Sequence, residues 1–247
     1  MSKPKIMFFD CETSFNTVRT FYIGSKVSIS HDQIIDERKV VCICWMMEGE
    51  KKVHHLQWDA KKHCDKKMME KFIKIISEVD VAIAHNGDKY DIPVLKTRGI
   101  YHKLPPMTNI QTIDTLKLAR NNFRFNSNRL DYIAKYLGFK GKKATGGLQL
   151  WHDVQDRCPN ALKKMVDYCK QDVTELREIF WKLVPYCDRL PVHLGILLGG
   201  DRPCCKVCGD KHPHKINVHT TASGVKYQRY RCKTCKHVFR DNKRLTT

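Results

Sequence analysis

Five side chains in three distant stretches have the types and spacing for metal-assisted chemistry. "FFDCET" places Asp10 and Glu12 two residues apart, and "AHNGDKYDIPVL" holds Asp91 just past an Asn-Gly turn. "VDYCKQDVTEL" sets Tyr168 four residues before Asp172. Residues two apart in a strand share a face, and residues four apart in a helix sit one turn above each other. Each pair therefore aims at one spot. Carboxylates gathered there repel unless cations neutralise them, and hard oxygen donors suit Mg²⁺ or Mn²⁺. Two such ions about 3.5–4 Å apart activate a water and stabilise the leaving oxygen of a phosphodiester. Singly, these pieces are ordinary: an Asp-x-Glu at a strand end is usually a solvated pair, and Asp91 alone would serve as a helix N-cap. Their order along the chain is what makes them a candidate site.

A second set is soft. Cys205-x-x-Cys208 and Cys232-x-x-Cys235 are separated by 23 residues. Two such turns supply the four thiolates of a structural tetrahedral zinc ion. Cys204 competes with Cys205, but the two-residue spacing favours Cys205; His212, His214, His219 and His237 are alternative ligands. A segment of about 45 residues buries little core, so zinc is expected to drive its folding. Between and after the knuckles, Tyr227, Tyr230 and Phe239 interleave with Lys226, Arg229, Arg231 and Arg240. Cations for phosphates beside rings for bases is the pattern of single-strand binding, although some of those rings must build the small core. Docking to a protein is the other reading of this tail. Cys11, Cys42, Cys44, Cys158, Cys169 and Cys187 are read as core fillers, and Cys64 as exposed.

The elements that must position these groups follow from hydrophobic periodicity. Lys5–Asp10 reads as a short buried strand ending in an acid. Lys39–Met47 and Lys51–Trp58 read as two strands joined by a tight turn, and Asp80–His85 and Asn109–Asp114 as further strands. Met68–Val79 suits an amphipathic helix. Further helices are expected over Tyr90–Arg98 with a stop at Gly99, Leu116–Asn121, Ser127–Leu137 with a stop at Gly138, and Asn160–Val184 with a stop at Pro185. Strands first and then strands alternating with helices predict an α/β fold, a mixed sheet with helices packed on it. Asp114 is placed to cap the helix that begins near Leu116. Asn86 either touches substrate or simply makes the Asn-Gly turn. Arg120, Arg124 and Arg129 are candidates for phosphate contacts. Lys140–Gly147, "KGKKATGG", reads as a basic mobile loop near substrate, and Arg189–Pro203 as the connection to the tail.

The formal charge of +19 points to a polyanionic partner, nucleic acid above all. The charge is uneven: residues 201–247 carry 12 Lys/Arg against 3 Asp, or +9, and the remaining 200 residues carry +10. The start reads directly into a strand, with neither a signal peptide nor an apolar run of membrane-spanning length. A cytoplasmic setting is expected, in which the 12 cysteines are thiols or metal ligands. The length leaves no room for a polymerase.

"FFDCET", "HNGDKYDIPVL" and "YCKQDVTEL" resemble the three motifs of the DEDD superfamily of 3′–5′ exonucleases, in the branch whose third motif carries a tyrosine. That branch includes the proofreading domains of family B DNA polymerases. Residues 113–151 and "YQRYRCKTCKHVFR" extend the likeness to stand-alone ribonuclease H-like exonucleases of bacteriophages and bacteria that end in a zinc ribbon. The resemblance implies a ribonuclease H-like domain over 1–190, a linker over 191–203 and a zinc ribbon that binds nucleic acid over 204–247. It implies release of nucleoside 5′-monophosphates from a 3′ end, with DNA preferred and RNA the rival substrate. A weakly catalytic replication or recombination accessory is the alternative, with replication or recombination proteins as further partners. Two Mg²⁺ or Mn²⁺ ions and one Zn²⁺ are the implied cofactors. Asp10 would bridge the two ions; Glu12 and Asp172 would hold the one carrying the attacking water, and Asp91 would help hold the other. Tyr168 would orient that water and Thr13 would meet the terminal nucleotide. Two positions depart from the pattern: Tyr90 stands where Phe is usual, and Lys236 where Gly is usual.

Overall fold

A computed structural model describes residues 4–24, 26–139, 147–201 and 204–245. The first strand, β1 (Ile6–Thr13), runs on through the acids instead of ending at Asp10. It is held that far by its antiparallel neighbour. A two-stranded ribbon, β2 (Thr17–Val18) and β3 (Ile34–Asp36), branches off before β4 (Val40–Met47) pairs with β1, Asp10 opposite Cys44 and Glu12 opposite Cys42. β5 (His54–Gln57) closes that edge. After helix α1 (Lys66–Ser77), β6 (Val81–Ala84) pairs parallel to β1. Helix α2 (Asp91–Tyr101) then leads to β7 (Gln111–Asp114), parallel to β6. The sheet order is β5-β4-β1-β6-β7, a mixed sheet with helices on both faces.

Strand alternation decides which face each side chain takes. Phe9 packs 6.0 Å from Phe72 of α1, so odd residues of β1 face that helix. Phe8 packs 5.5 Å from Phe180 on the opposite side. Phe180 belongs to the long helix α6 (Ala161–Leu183), which follows α3 (Thr115–Asn122), α4 (Leu130–Tyr136) and α5 (Gln149–Gln155). Phe8, Phe9, Phe72 and Phe180 are fully buried, each contributing about 1.5–3 kcal/mol of hydrophobic stabilisation. Asp10 and Glu12, even residues like Phe8, must therefore face α6.

Several boundaries differ from expectation. α2 passes through Gly99 to Tyr101, with Gly99 buried on the side of α1. Asp91 is the first helical residue, with Tyr90 at the N-cap. Pro185 does not stop the chain abruptly: a 3₁₀ turn, Val184–Tyr186, absorbs it. The segment read as a connection contains a helical turn, α7 (Leu194–Leu197), with Leu194 buried. Cys158 is exposed and Cys64 half-buried. Of the basic loop Lys140–Gly147, residues 140–146 lie outside the described residues.

The α1–α2 contact hides a charged hub that periodicity does not reveal. Asp65 is fully buried. Its carboxylate accepts from Arg98 Nε and Nη2 at 2.7 Å each, from His102 Nε2 at 2.6 Å and from the Val40 amide at 3.0 Å. Burial alone would raise its pKa, but these donors outweigh it and hold the carboxyl below its usual range.

The C-terminal sheet is separate: β8 (His214–Thr220), β9 (Lys226–Arg231) and β10 (Val238–Arg244), all antiparallel, in the order β10-β9-β8. Tyr230 and Phe239 stack 5.6 Å apart and are buried, so these rings form its core and are not free to stack on bases. Among the described residues no helix is long and apolar enough to cross a membrane.

Candidate active site and metal centres

The first site lies at the carboxyl ends of the parallel strands β1, β6 and β7, the usual crevice of α/β sheets. Asp10, Glu12 and Asp172 each place a carboxylate oxygen within 4.8 Å of the others. Two come from one face of β1 and the third from the facing stripe of α6. Asp172 is buried, while Asp10 and Glu12 are half-buried. The cluster is hard and anionic: burial first, then Glu12, Asp91 and Asp172, push the Asp10 carboxyl well above its ordinary value.

Asp91 reaches the same neighbourhood by a different route. β1 pairs with β6 only as far as Phe8 opposite Ile83, so the amide of Cys11 has no ladder partner on that edge. Asp91 Oδ1 accepts from Cys11 N at 3.2 Å and from Cys11 Sγ at 3.0 Å. The carboxylate is 3% exposed, and burial moves it up to about 6 despite the Cys11 bonds. Asp91 thus adds to the field on Asp10 but stands outside the three-carboxylate set.

Tyr168 is half-buried one turn before Asp172 and meets the Trp151 ring of α5 edge-on at 5.9 Å. Thr13 Oγ1 lies 2.7 Å from the Tyr90 hydroxyl, which also accepts from Arg38 Nη1 at 3.3 Å. The phenol that replaces the usual Phe is therefore engaged, and it ties up the Thr13 hydroxyl. Arg38 and Trp151 are site neighbours that the sequence reading did not single out: Arg38 comes from a segment with no motif, and Trp151 closes the stretch 113–151 that carried the resemblance without being given a role. Asn86 makes the turn after β6 with φ +67°, its amide bonded to Asp114 Oδ1 at 2.9 Å. Asp114 also caps α3 through Leu116 N and Lys117 N. Arg120, Arg124 and Arg129 are exposed. Behind Asp10, Cys169 Sγ donates to the Asp10 backbone carbonyl at 3.4 Å and joins Cys42 and Cys44 in a buried thiol cluster.

The second centre is made of sulfur. The Sγ atoms of Cys205, Cys208, Cys232 and Cys235 all lie within 4.8 Å of one another. The Cys205–Cys235 and Cys208–Cys232 separations are both 3.5 Å. A tetrahedron with metal–sulfur bonds of about 2.3 Å has edges near 3.8 Å, so the donor set fits one such ion. Val207 N and Cys235 N point at Cys205 Sγ and Cys232 Sγ, each at 3.4 Å, as expected for knuckles that stabilise thiolate charge. The residue after each knuckle is left-handed: Gly209 at φ +74° and Lys236 at φ +65°. The lysine keeps the turn that glycine would make at no steric cost.

A protein-family model of the RNase_H superfamily, RNase_H_2, matches residues 7–184. The chain belongs to the RNase H superfamily. The match covers every element that builds the carboxylate site and ends before the four cysteines. Among solved structures this RNase H chain is similar to a family B DNA polymerase from the hyperthermophilic archaeon Pyrobaculum calidifontis, with TM-score 0.57 and 14% identity. The likeness covers 92% of this chain and 32% of the polymerase, so the chain spans about a third of that protein's length. At that identity it shows the fold alone. No curated protein matches.

Proposed function

We propose that the chain is a metal-dependent 3′–5′ exonuclease of the tyrosine-type DEDD group, acting on single-stranded or frayed DNA ends. The observation that carries this reading is the convergence of Asp10, Glu12 and Asp172 within 4.8 Å, with Asp91 close enough to help push the Asp10 carboxyl above its ordinary pKa. Such a donor set fits Mg²⁺ or Mn²⁺. Two ions bound there would supply Lewis acidity and a water of lowered pKa. Asp10, Glu12 and Asp172 would hold them, with Asp91 as a further ligand. Tyr168, set against Trp151, would orient the attacking water, with the metal as that water's main activator. Thr13, Asn86, Arg124 and Arg129 are the proposed substrate contacts. Release of nucleoside 5′-monophosphates follows from the motif resemblance.

The division into a catalytic unit over 1–190, a connection over 191–203 and a zinc ribbon over 204–247 is supported by the two separate sheets and by the sulfur geometry. Cleavage of matched 5′-labelled single-stranded DNA and RNA, with Mg²⁺ and with Mn²⁺, tests the reading. A ladder shortening from the 3′ end, abolished in Asp10→Ala, is the expected result. Faster loss of the RNA would make the chain an exoribonuclease, and a wild-type chain inert with both ions would leave it a binding accessory.

A further inference from the structure

Between the end of α6 and the C-terminal sheet lies a cleft of about 1040 Å³. One wall is the segment after the 3₁₀ turn, residues 187–193; the other is built from Lys206 and the strands β8–β10. His237, 4% exposed, donates from Nδ1 to the Pro185 carbonyl at 3.0 Å and pins the two walls together. Arg189, Lys206, Arg229 and Arg240 line it against a single carboxylate, Asp188. Arg229 Nη2 donates to His219 Nδ1 at 3.1 Å, and the Arg240 guanidinium lies 4.4 Å over the Tyr227 ring. Both planar forks are oriented by groups that carry no negative charge. Among the described residues no ion pair holds Arg189, Arg229 or Arg240.

We infer that this cleft binds the sugar–phosphate backbone of a single nucleic-acid strand as an anchor separate from the carboxylate site. The inference rests on the proposal that the chain acts on nucleic acid. The volume is at the upper limit for small-molecule sites, and the cations are spread over both walls. That layout suits a polymer whose charges repeat; oriented arginines without acid partners suit phosphate. Asp172 and Leu183 lie on one rigid helix, about 16 Å apart at 1.5 Å rise per residue. The cleft begins beyond Leu183, so a strand stacked at the duplex rise of about 3.4 Å covers that separation with about five nucleotides or more.

The test is anisotropy binding of labelled strands of about 20 and about 4 nucleotides, as DNA and as RNA, over a range of salt. The full-length zinc-loaded chain with Asp10→Asn prevents cleavage. In that background, Arg189→Ala/Arg229→Ala/Arg240→Ala is compared with Lys61→Ala/Lys62→Ala/Lys67→Ala, which removes equal charge from an exposed surface elsewhere. Arg189→Glu alone, at an exposed position, serves if the triple change disturbs folding. The expected result is roughly tenfold weaker binding of the long strand by the cleft variant, with a log–log salt slope smaller by about 2, and no change for the short strand. Equal losses for DNA and RNA support a backbone contact; loss for one alone supports the cleft and identifies that strand as its ligand. A cleft variant no weaker than the lysine control overturns the inference and leaves the cleft to a protein partner. Because binding is read without cleavage, a chain that binds but never cuts sinks the nuclease and not the cleft.

Discussion

Asp10 is where charge and fold conflict. It shares a face of β1 with Glu12 and looks across at Asp172, so burial and like charge both oppose its ionised form. A chain without divalent ions carries that repulsion as lost stability. Asp10→Asn removes one of the charges and keeps the shape. In buffer free of divalent cations the variant should melt above the parent by roughly 2–4 °C, the shift expected for about 1 kcal/mol in a chain of this size. Mg²⁺ should raise the melting temperature of the parent and leave that of the variant nearly still. Scanning calorimetry reads both, and equal responses to Mg²⁺ would show that Asp10 binds no ion. Tyr90 makes a finer point. Its hydroxyl engages Thr13 and Arg38, groups that a Phe would leave available. If Thr13 meets the terminal nucleotide, Tyr90→Phe should lower KM by about 2–10-fold, the worth of one hydrogen bond, with kcat unchanged. An unchanged or higher KM would assign the phenol itself to the substrate.

At the scale of elements, α2 carries Asp91 at its first residue and Arg98 two turns later, where Asp65 grips it. The hub thus fixes the helix that aims Asp91. Asp65→Asn leaves the Arg98 guanidinium buried without its counter-charge, and should cost about 3–5 kcal/mol in urea unfolding. The pH dependence has a definite sign. The folded pKa of Asp65 is depressed, so its contribution is complete above the unfolded value of about 3.9 and fades as pH falls through the folded one. The parent should lose stability across that acid window and the variant should lose less; parallel curves would remove the hub from the account. The C-terminal knuckle offers an opposite case. Lys236 holds a left-handed backbone that costs an ordinary side chain about 1–2 kcal/mol, so Lys236→Gly should stabilise the ribbon by about 1 kcal/mol. Much of this was legible beforehand. Alternation put Asp10 and Glu12 on one face, the 3.6-residue period located α1 and α6, and cysteine spacing named the sulfur centre. What escaped was long-range: β2 and β3 are too short to show a period, and α7 hides among glycines. Those glycines serve packing, since a Cβ at Gly195 would collide with the Cys205 carbonyl oxygen. Asp91 meets Cys11 only because β6 ends early, and no spacing along the chain records that.

Across the whole molecule, the two candidate metal sites are kept apart: Asp10, Glu12 and Asp172 meet where β1 faces α6, and Cys205, Cys208, Cys232 and Cys235 meet in the turns beside the three-stranded sheet. The two sheets share one continuous apolar core, which includes Cys187, Leu194, Val207 and Phe239, with the His237–Pro185 bond beside it. A small sheet built on the buried Tyr230–Phe239 pair has little apolar area, so with zinc at the proposed sulfur site its folding free energy would come mainly from the metal. The first sheet buries Phe8, Phe9, Phe72 and Phe180 and needs no such help. Removing zinc with a zinc-selective chelator in the presence of Mg²⁺ should therefore unfold the chain in part. Hydrogen exchange should rise across β8–β10, across α7, whose Gly195 amide bonds to the Lys206 carbonyl, and in the last turn of α6. Amides of β1, β4 and β6 should keep their protection, and the stabilisation by Mg²⁺ should persist. Loss of protection in β1 on zinc removal would mean that the two sheets fold as one, and that the sulfur centre supports the carboxylate site as well as the tail.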